Sequence, residues 1–236
     1  YPEMVRFDWM QDLLEWFEWY LKGIGEQPGL FVEIQSNQGQ WRIEDRYPPD
    51  GMEEMSLDLG GALSNIAGGT TNILPNGNFG PVYESSPLVD DIWISGLPRL
   101  HIDVSTSTLG GQIYALLEDC SEMGDCIHIG HAIMDLRYHE GGSDEQTWIP
   151  ILETINAKME FFAMDVQIEA GHTIRLSLAS TGEDYLPAST SSVVTVQEGP
   201  GSNLILDIID SDSKLLFDPP ACTHVVCEEW LNQTSI

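Results

Sequence analysis

Positive charge is scarce in this sequence. Its 236 residues include 9 lysines and arginines against 38 aspartates and glutamates, and the net charge is −29 at pH 7. Because binding to nucleic acid or to an anionic membrane needs a basic face, both partner classes are disfavoured. The carboxylates predict a solvated acidic surface, and a complement of only three lysines fits adaptation to high salt. Calcium binding is the functional alternative, but no strong calcium motif supports it.

Long apolar runs are also missing. No stretch of 18 or more apolar residues occurs, so the sequence predicts no membrane span. No charged segment followed by an apolar core opens the chain, so no secretion signal is visible. Because the sequence starts at Tyr1 and not at a methionine, we expect a processed product or the C-terminal part of a longer protein.

Cysteine is limited to four residues, which form two close pairs, Cys120 with Cys126 and Cys222 with Cys227. Three pairings are open in principle. We expect the two local disulfides because each loop is short and contains or adjoins turn-forming residues. A zinc site is the alternative, but neither spacing is C-x2-C and only His224 lies near. Disulfides would give the protein an extracellular or cell-surface location.

Recognisable catalytic machinery is absent as well. A serine hydrolase on an α/β scaffold carries its nucleophile on a G-x-S-x-G elbow, and the nearest segment, residues 141–145, lacks the second glycine. His128 and His131 are three residues apart, which in a regular strand puts their side chains on opposite faces of the sheet. His172 follows Gly171 at a predicted strand start, where we expect a role in the turn. We therefore assign no catalytic, cofactor-binding or metal-binding residue.

An amphipathic helix opens the chain at residues 7–23. Apolar side chains recur at helical spacing, and Gly23 is a natural end for the helix. This stripe predicts packing against a large apolar partner surface. A lone helix followed by a long all-β region looks like the end of one domain joined to another. The predicted packing residues are Trp9, Leu13, Trp16, Phe17, Tyr20 and Leu21.

After the helix, the apolar pattern changes to a period of two. Turn signals separate short alternating segments, and no βαβ rhythm is present, so the pattern predicts a β-sandwich or jelly roll and excludes a Rossmann or barrel enzyme. A hairpin turn is expected at residues 37–39, a surface loop at 60–81, and a bulge near Gly130. The predicted strands are 31–35, 41–45, 100–104, 112–117, 127–138, 158–168, 173–179, 192–197 and 203–209.

Short motifs follow one another in a definite order along most of the chain. They include the helix, a Gly-x-Trp-Arg turn at 39–42 and a Tyr-Pro-Pro stop at 47–49. Further motifs lie at 31–34, 57–61, 83–88, 94–104, 115–119, 130–137, 171–176 and 201–206. Each is weak alone, but their order and spacing together resemble the C-terminal part of the Xaa-Pro dipeptidyl-peptidase and cocaine esterase family.

This resemblance implies a mainly β fold, a galactose-binding-like jelly-roll β-sandwich preceded by one amphipathic helix. Residues 1–27 would be the terminal helix of an otherwise missing α/β-hydrolase domain, residues 28–217 the jelly roll, and residues 218–236 a tail with the second cysteine pair. The implied function is that of the non-catalytic accessory domain of a secreted serine hydrolase. It would pack on a catalytic domain, from the same precursor or a separate chain, and help to shape the active-site cleft. The family's catalytic triad lies upstream of the helix, so none of it maps onto this sequence.

Two other functions stay open at this point. The chain is alternatively an extracellular carbohydrate-binding module, in which an exposed Trp93 or Trp148 would stack on a sugar ring. It is otherwise a structural or assembly protein, in which the helix packs on a neighbour, including a second copy in a homo-oligomer.

Overall fold

The computed structural model describes residues 9–65, 71–140, 146–182, 184–210 and 214–217, with side chains from residue 12 onward. Within these residues the chain is mainly β, with one α-helix and sixteen strands, so the predicted fold class is confirmed. The chain divides into two compact units. One combines Tyr1–Asp50 with Ser211–Ile236, and the other is Gly51–Asp210.

The first unit contains the helix and a small antiparallel sheet. The expected hairpin turn at residues 37–39 is present, and Gly39 adopts a φ of +80°, which glycine reaches without a steric penalty. The elements are α1 (Trp9–Phe17), a π-helical turn (Glu18–Lys22), β1 (Val32–Gln35), β2 (Trp41–Glu44) and β16 (Leu216–Phe217). The strand order in the sheet is β1-β2-β16.

The second unit is a sandwich of two antiparallel sheets. Its strands are β3 (Glu53–Asp58), β4 (Leu63–Asn65), β5 (Thr71–Ile73), β6 (Val82–Ser85), β7 (Ile92–Gly96), β8 (Arg99–Thr106), β9 (Gln112–Cys120), β10 (Cys126–Asp135), β11 (Ile155–Glu160), β12 (Met164–Ile168), β13 (Thr173–Ala179), β14 (Val194–Gln197) and β15 (Asn203–Ile208). A five-stranded sheet has the order β10-β9-β13-β6-β4. An eight-stranded sheet has the order β12-β7-β15-β8-β14-β5, with β11 beside β8 and β3 beside β15.

Alternate residues of both sheets fill the core between them. On β8 the predicted alternation is confirmed, because Leu100, Ile102 and Val104 are fully buried. The facing sheet contributes inward side chains from β9, β10 and β13 in the same period of two. These buried contributors are Ile113, Ala115, Leu117, Ala132, Ile174, Leu176 and Leu178.

Two expectations about the strands and one about Trp93 need correction. The region 60–81 is not only a loop, because it contains β4 and β5, which are too short to show an alternating pattern. The predicted strand 158–168 is two strands, β11 and β12, which pair with β8 and β7 respectively. The break lies opposite Pro98, which stands between β7 and β8 in the chain. Phe161 N–H donates to the Pro98 carbonyl, but proline has no N–H to donate in return, so the ladder of hydrogen bonds is interrupted there. Trp93 is 3% exposed, so it cannot stack on a sugar.

The β9–β10 hairpin carries the predicted disulfide. Cys120 and Cys126 are directly opposite in the register and are bonded, which confirms this pair. Cys222 and Cys227 lie outside the described residues, so their pairing stays a prediction.

A bulge interrupts β10 near Gly130, as the sequence predicts. His128 pairs with Glu118 and Gly130 with Leu117, so β10 has one extra residue between these two pairs. The extra residue reverses the alternation beyond it. His128 and His131 therefore share one face of the sheet, and the expectation that they lie on opposite faces was wrong.

Candidate docking surface

The helix of the first unit presents its apolar side chains to solvent. The predicted stripe is exposed at every position that the structure describes, from 40% for Leu13 to 73% for Leu21. Trp16, Phe17 and Tyr20 lie between these values, at 41–45%. The side chain of Trp9 lies outside the described residues. A folded chain rarely exposes so many large apolar groups together unless they bind something.

The end of the helix is well defined. Gly23 has a φ of 68°, and its N–H bonds the Trp19 carbonyl, while Ile24 N bonds the Glu18 carbonyl. These bonds satisfy carbonyls that a helix end otherwise leaves open. The predicted end at Gly23 is confirmed, although the last turn is π-helical. The stripe is therefore carried by a helix whose end is capped.

Aromatic contacts fix the side chains of the stripe relative to one another. The Trp16 ring lies 4.7 Å from Tyr20 and 5.3 Å from Phe17, the latter edge to face. These are distances at which aromatic rings attract each other. The surface is thus partly ordered before any partner binds, which lowers the entropy cost of docking.

Sequence reasoning missed other exposed apolar residues of the same unit. Leu14 is next to a predicted position, and Ile24 follows the helix, so a wider apolar arc would have included both. Leu30 and Phe31 lie just before β1 and carry no comparable signal. Their exposed fractions are 58% for Leu14, 57% for Ile24, 80% for Leu30 and 51% for Phe31.

The small sheet beside this segment in the chain has a buried ionic centre. Arg42 is 1% exposed, and its Nε lies 2.8 Å from Glu44 Oε1, which also accepts from Lys214 Nζ at 2.8 Å. Burial alone would raise the pKa of Glu44, but the hydrogen bonds and charges of Lys214 and Arg42 outweigh it, so the pKa is lowered.

A second surface feature lies on the outer face of the five-stranded sheet. His131 Nδ1 is 3.3 Å from His128 Nε2, and His131 Nε2 is 2.8 Å from the Tyr185 hydroxyl. The His131 ring also contacts Phe162 and Tyr114, with centroids 5.1 Å and 5.7 Å away.

His172 was predicted to serve a turn. Its backbone N–H donates to the Glu169 carbonyl in the turn before β13, and its ring Nδ1 lies 2.7 Å from Asp119 Oδ1.

Comparison with known protein families shows which family the chain belongs to. The model of the X-Pro dipeptidyl-peptidase C-terminal non-catalytic domain matches residues 23–215. The chain belongs to this family. The description of this family as non-catalytic is consistent with the lack of a G-x-S-x-G elbow in the sequence. No curated protein sequence matches the chain.

Solved structures similar to this family member have the same fold at low identity. A CocE/NonD family hydrolase from Staphylococcus aureus is 13% identical with a TM-score of 0.66, over 85% of this chain and 46% of that one. An aminopeptidase from a marine sediment Thaumarchaeota archaeon is 12% identical with a TM-score of 0.66, over 86% and 44%. An α-amino acid ester hydrolase is 14% identical with a TM-score of 0.56, over 86% and 45%. The chain spans less than half the length of these proteins.

The structure adds one observation about membranes. Among the residues that it describes, no helix is long and apolar enough to cross a bilayer.

Proposed function

We propose that this chain is the accessory C-terminal domain of a secreted serine hydrolase of the Xaa-Pro dipeptidyl-peptidase or acyl esterase type. In this proposal an α/β-hydrolase catalytic domain covers the exposed helix, and the β-sandwich, of the galactose-binding-like class, helps to shape the active-site cleft. The observation that carries the proposal is the exposed apolar stripe of Leu13, Trp16, Phe17, Tyr20 and Leu21 in a member of a non-catalytic domain family.

Chain length supports this choice of partner. The similar solved hydrolases are more than twice as long as the part of them that this chain covers. A catalytic domain is therefore the kind of partner that such proteins have room for. The buried apolar area would drive docking at about 25 cal/mol per Å² before the costs of association are subtracted.

The proposal is tested with a longer product that includes whatever its gene encodes upstream of Tyr1. We expect that region to contain an α/β-hydrolase domain, and we expect the amides of residues 12–24 to exchange more slowly in the longer product than in the 236-residue chain. The longer product should hydrolyse Xaa-Pro nitroanilides or short acyl esters, and the 236-residue chain should hydrolyse neither.

Matched variants separate docking from a general loss of apolar surface. Trp16→Gln with Tyr20→Gln should weaken the association of the chain with a separately produced catalytic domain. Val89→Ser with Leu186→Ser, at positions that are each 89% exposed on the sandwich, should not. Equal effects of the two pairs would overturn the proposal. The homo-oligomeric assembly function would be favoured instead if the 236-residue chain formed a stable dimer and the helix variant were monomeric.

A further inference from the structure

Two histidines meet on the outer face of the five-stranded sheet because of the bulge in β10. In the register of β9 with β10, His128 is opposite Glu118 and His131 is opposite Leu116. Since Glu118 and Leu116 are two residues apart on a regular strand, they share a face, and so do the two histidines. The core residues Ala115 and Leu117 occupy the other face, so the histidine pair points away from the core.

The separation of the two ring nitrogens matches a metal chelate. His128 Nε2 and His131 Nδ1 are 3.3 Å apart. Two imidazole nitrogens, each about 2.0–2.1 Å from a tetrahedral zinc ion, are separated by roughly 3.3 Å. A square-planar metal would need the nitrogens nearer to about 2.8 Å apart at similar bond lengths. The distance between the two nitrogens is therefore the one that two ligands of a tetrahedral zinc ion would have.

The other nitrogen of His131 is already held. Its Nε2 is 2.8 Å from the Tyr185 hydroxyl, which leaves Nδ1 directed at His128. Metal-binding histidines commonly have the second ring nitrogen fixed in this way, and the partner sets the tautomer and the ring orientation. The edge of Phe162 and the ring of Tyr114 confine His131 from two further sides.

The site is accessible, because His128 is exposed on an edge strand. No cluster of three or more His, Cys, Asp or Glu side chains suited to a metal occurs in the described ranges. Water would therefore supply the ligands that the two histidines leave open.

We propose that His128 Nε2 and His131 Nδ1 bind a zinc ion on the outer face of the five-stranded sheet, with water completing the coordination. The ion bridges the two sides of the bulge in β10, and Tyr185 acts as a positioning residue for His131. This inference is independent of the docking proposal, since it concerns the sandwich unit alone.

The experiment is calorimetric titration of the intact, non-reduced 236-residue chain with zinc chloride. We expect one equivalent to bind, and we expect His128→Gln and His131→Gln each to weaken that step by at least about tenfold. His101→Gln, on β8 of the other sheet, is the matched control and should bind as the wild type does. Calcium chloride should not reproduce the step, because imidazole is a poor calcium ligand and carboxylates alone would bind both ions.

Nitrogen NMR of the imidazoles identifies the ligands directly. Zinc should shift His128 Nε2 and His131 Nδ1 and leave His131 Nε2 bonded to Tyr185. If His131→Gln fails to fold, the exposed His128→Gln variant still decides the question. Absence of a one-equivalent step, or a step that survives in His128→Gln because zinc binds elsewhere, would overturn the proposal. Either result would make the 3.3 Å contact a hydrogen bond between the two rings and nothing more.

Discussion

At the scale of single residues, Arg42 shows how a motif residue can be structural. The guanidinium is 1% exposed, and such a buried charge is tolerated only when it is paired. Glu44, two residues further along β2, supplies the partner, and Lys214 adds a second cation to the same carboxylate. The sequence predicted the Gly-x-Trp-Arg turn from its motif. It could not predict the ionic centre, because Lys214 is far from Arg42 in the chain and only the fold brings them together.

Replacement of Glu44 by Gln should destabilise the protein at neutral pH. The variant keeps a hydrogen-bond acceptor but loses the charge that compensates Arg42, at a cost of about 1.5–3 kcal/mol in the free energy of unfolding. The folded-state pKa of Glu44 is lowered, so its contribution is fully present above the unfolded-state pKa of the side chain. The contribution is lost as the pH falls through the lowered folded-state pKa.

Urea unfolding of both proteins across pH 2–8, followed by tryptophan fluorescence, measures this difference. The difference between wild type and variant should be largest near neutral pH and should vanish in acid. Glu26→Gln, at an exposed position of the same unit, is the control and should show a difference of less than about 0.5 kcal/mol. A Glu44 effect that does not depend on pH would contradict the ionic explanation.

At the scale of elements, sequence pattern predicted the strands whose one face is buried. β8, β9, β13 and β15 alternate clearly, and the ends of each lie within about three residues of the expected ones. β4 and β5 are three residues long each, so no period could be measured in them. The bulge near Gly130 was predicted, but its consequence for His128 and His131 was not, because the face of a residue beyond a bulge depends on the register with the neighbouring strand.

The disulfide of the β9–β10 hairpin should stabilise this element measurably. Cys120 and Cys126 close a short loop, and in the chain-entropy account a loop of this size contributes about 2–3 kcal/mol. The Cys120→Ser, Cys126→Ser double variant should lose that amount in urea unfolding. Peptide mapping without reduction should show the Cys120–Cys126 link, and it tests the predicted Cys222–Cys227 link as well. Free thiols at Cys120 and Cys126, or a variant as stable as the wild type, would refute the stabilising role.

At the scale of the whole molecule, the sequence predicted the apolar stripe of the helix but not the partner that covers it. The helical period predicted the described positions Leu13, Trp16, Phe17, Tyr20 and Leu21, which the structure finds exposed. What covers them could not follow from either the pattern or the fold, because an exposed apolar face is compatible with several partners. The match to a non-catalytic C-terminal domain family supports the catalytic domain that we propose as the partner.

The net charge of −29 should make stability depend on salt. Like charges repel more strongly in the compact state than in the expanded chain, and salt screens them over a Debye length of about 10 Å at 0.1 M and about 3 Å at 1 M. We therefore expect the melting temperature to rise between low salt and molar potassium chloride, with most of the gain at the lower concentrations. A specific salt effect on hydrophobic burial would instead grow steadily and depend on the anion.

A charge-reduced variant separates the two explanations. Glu53, Asp90, Glu153 and Glu169 are exposed, and their replacement by the corresponding amides removes four of the 38 acidic charges. If repulsion is the cause, the variant should melt higher than the wild type at low salt and gain less from added potassium chloride. A melting temperature that stays flat or falls with salt would contradict the repulsion argument. An equal salt response in both proteins would show that salt acts on the apolar surface instead, including the exposed helix.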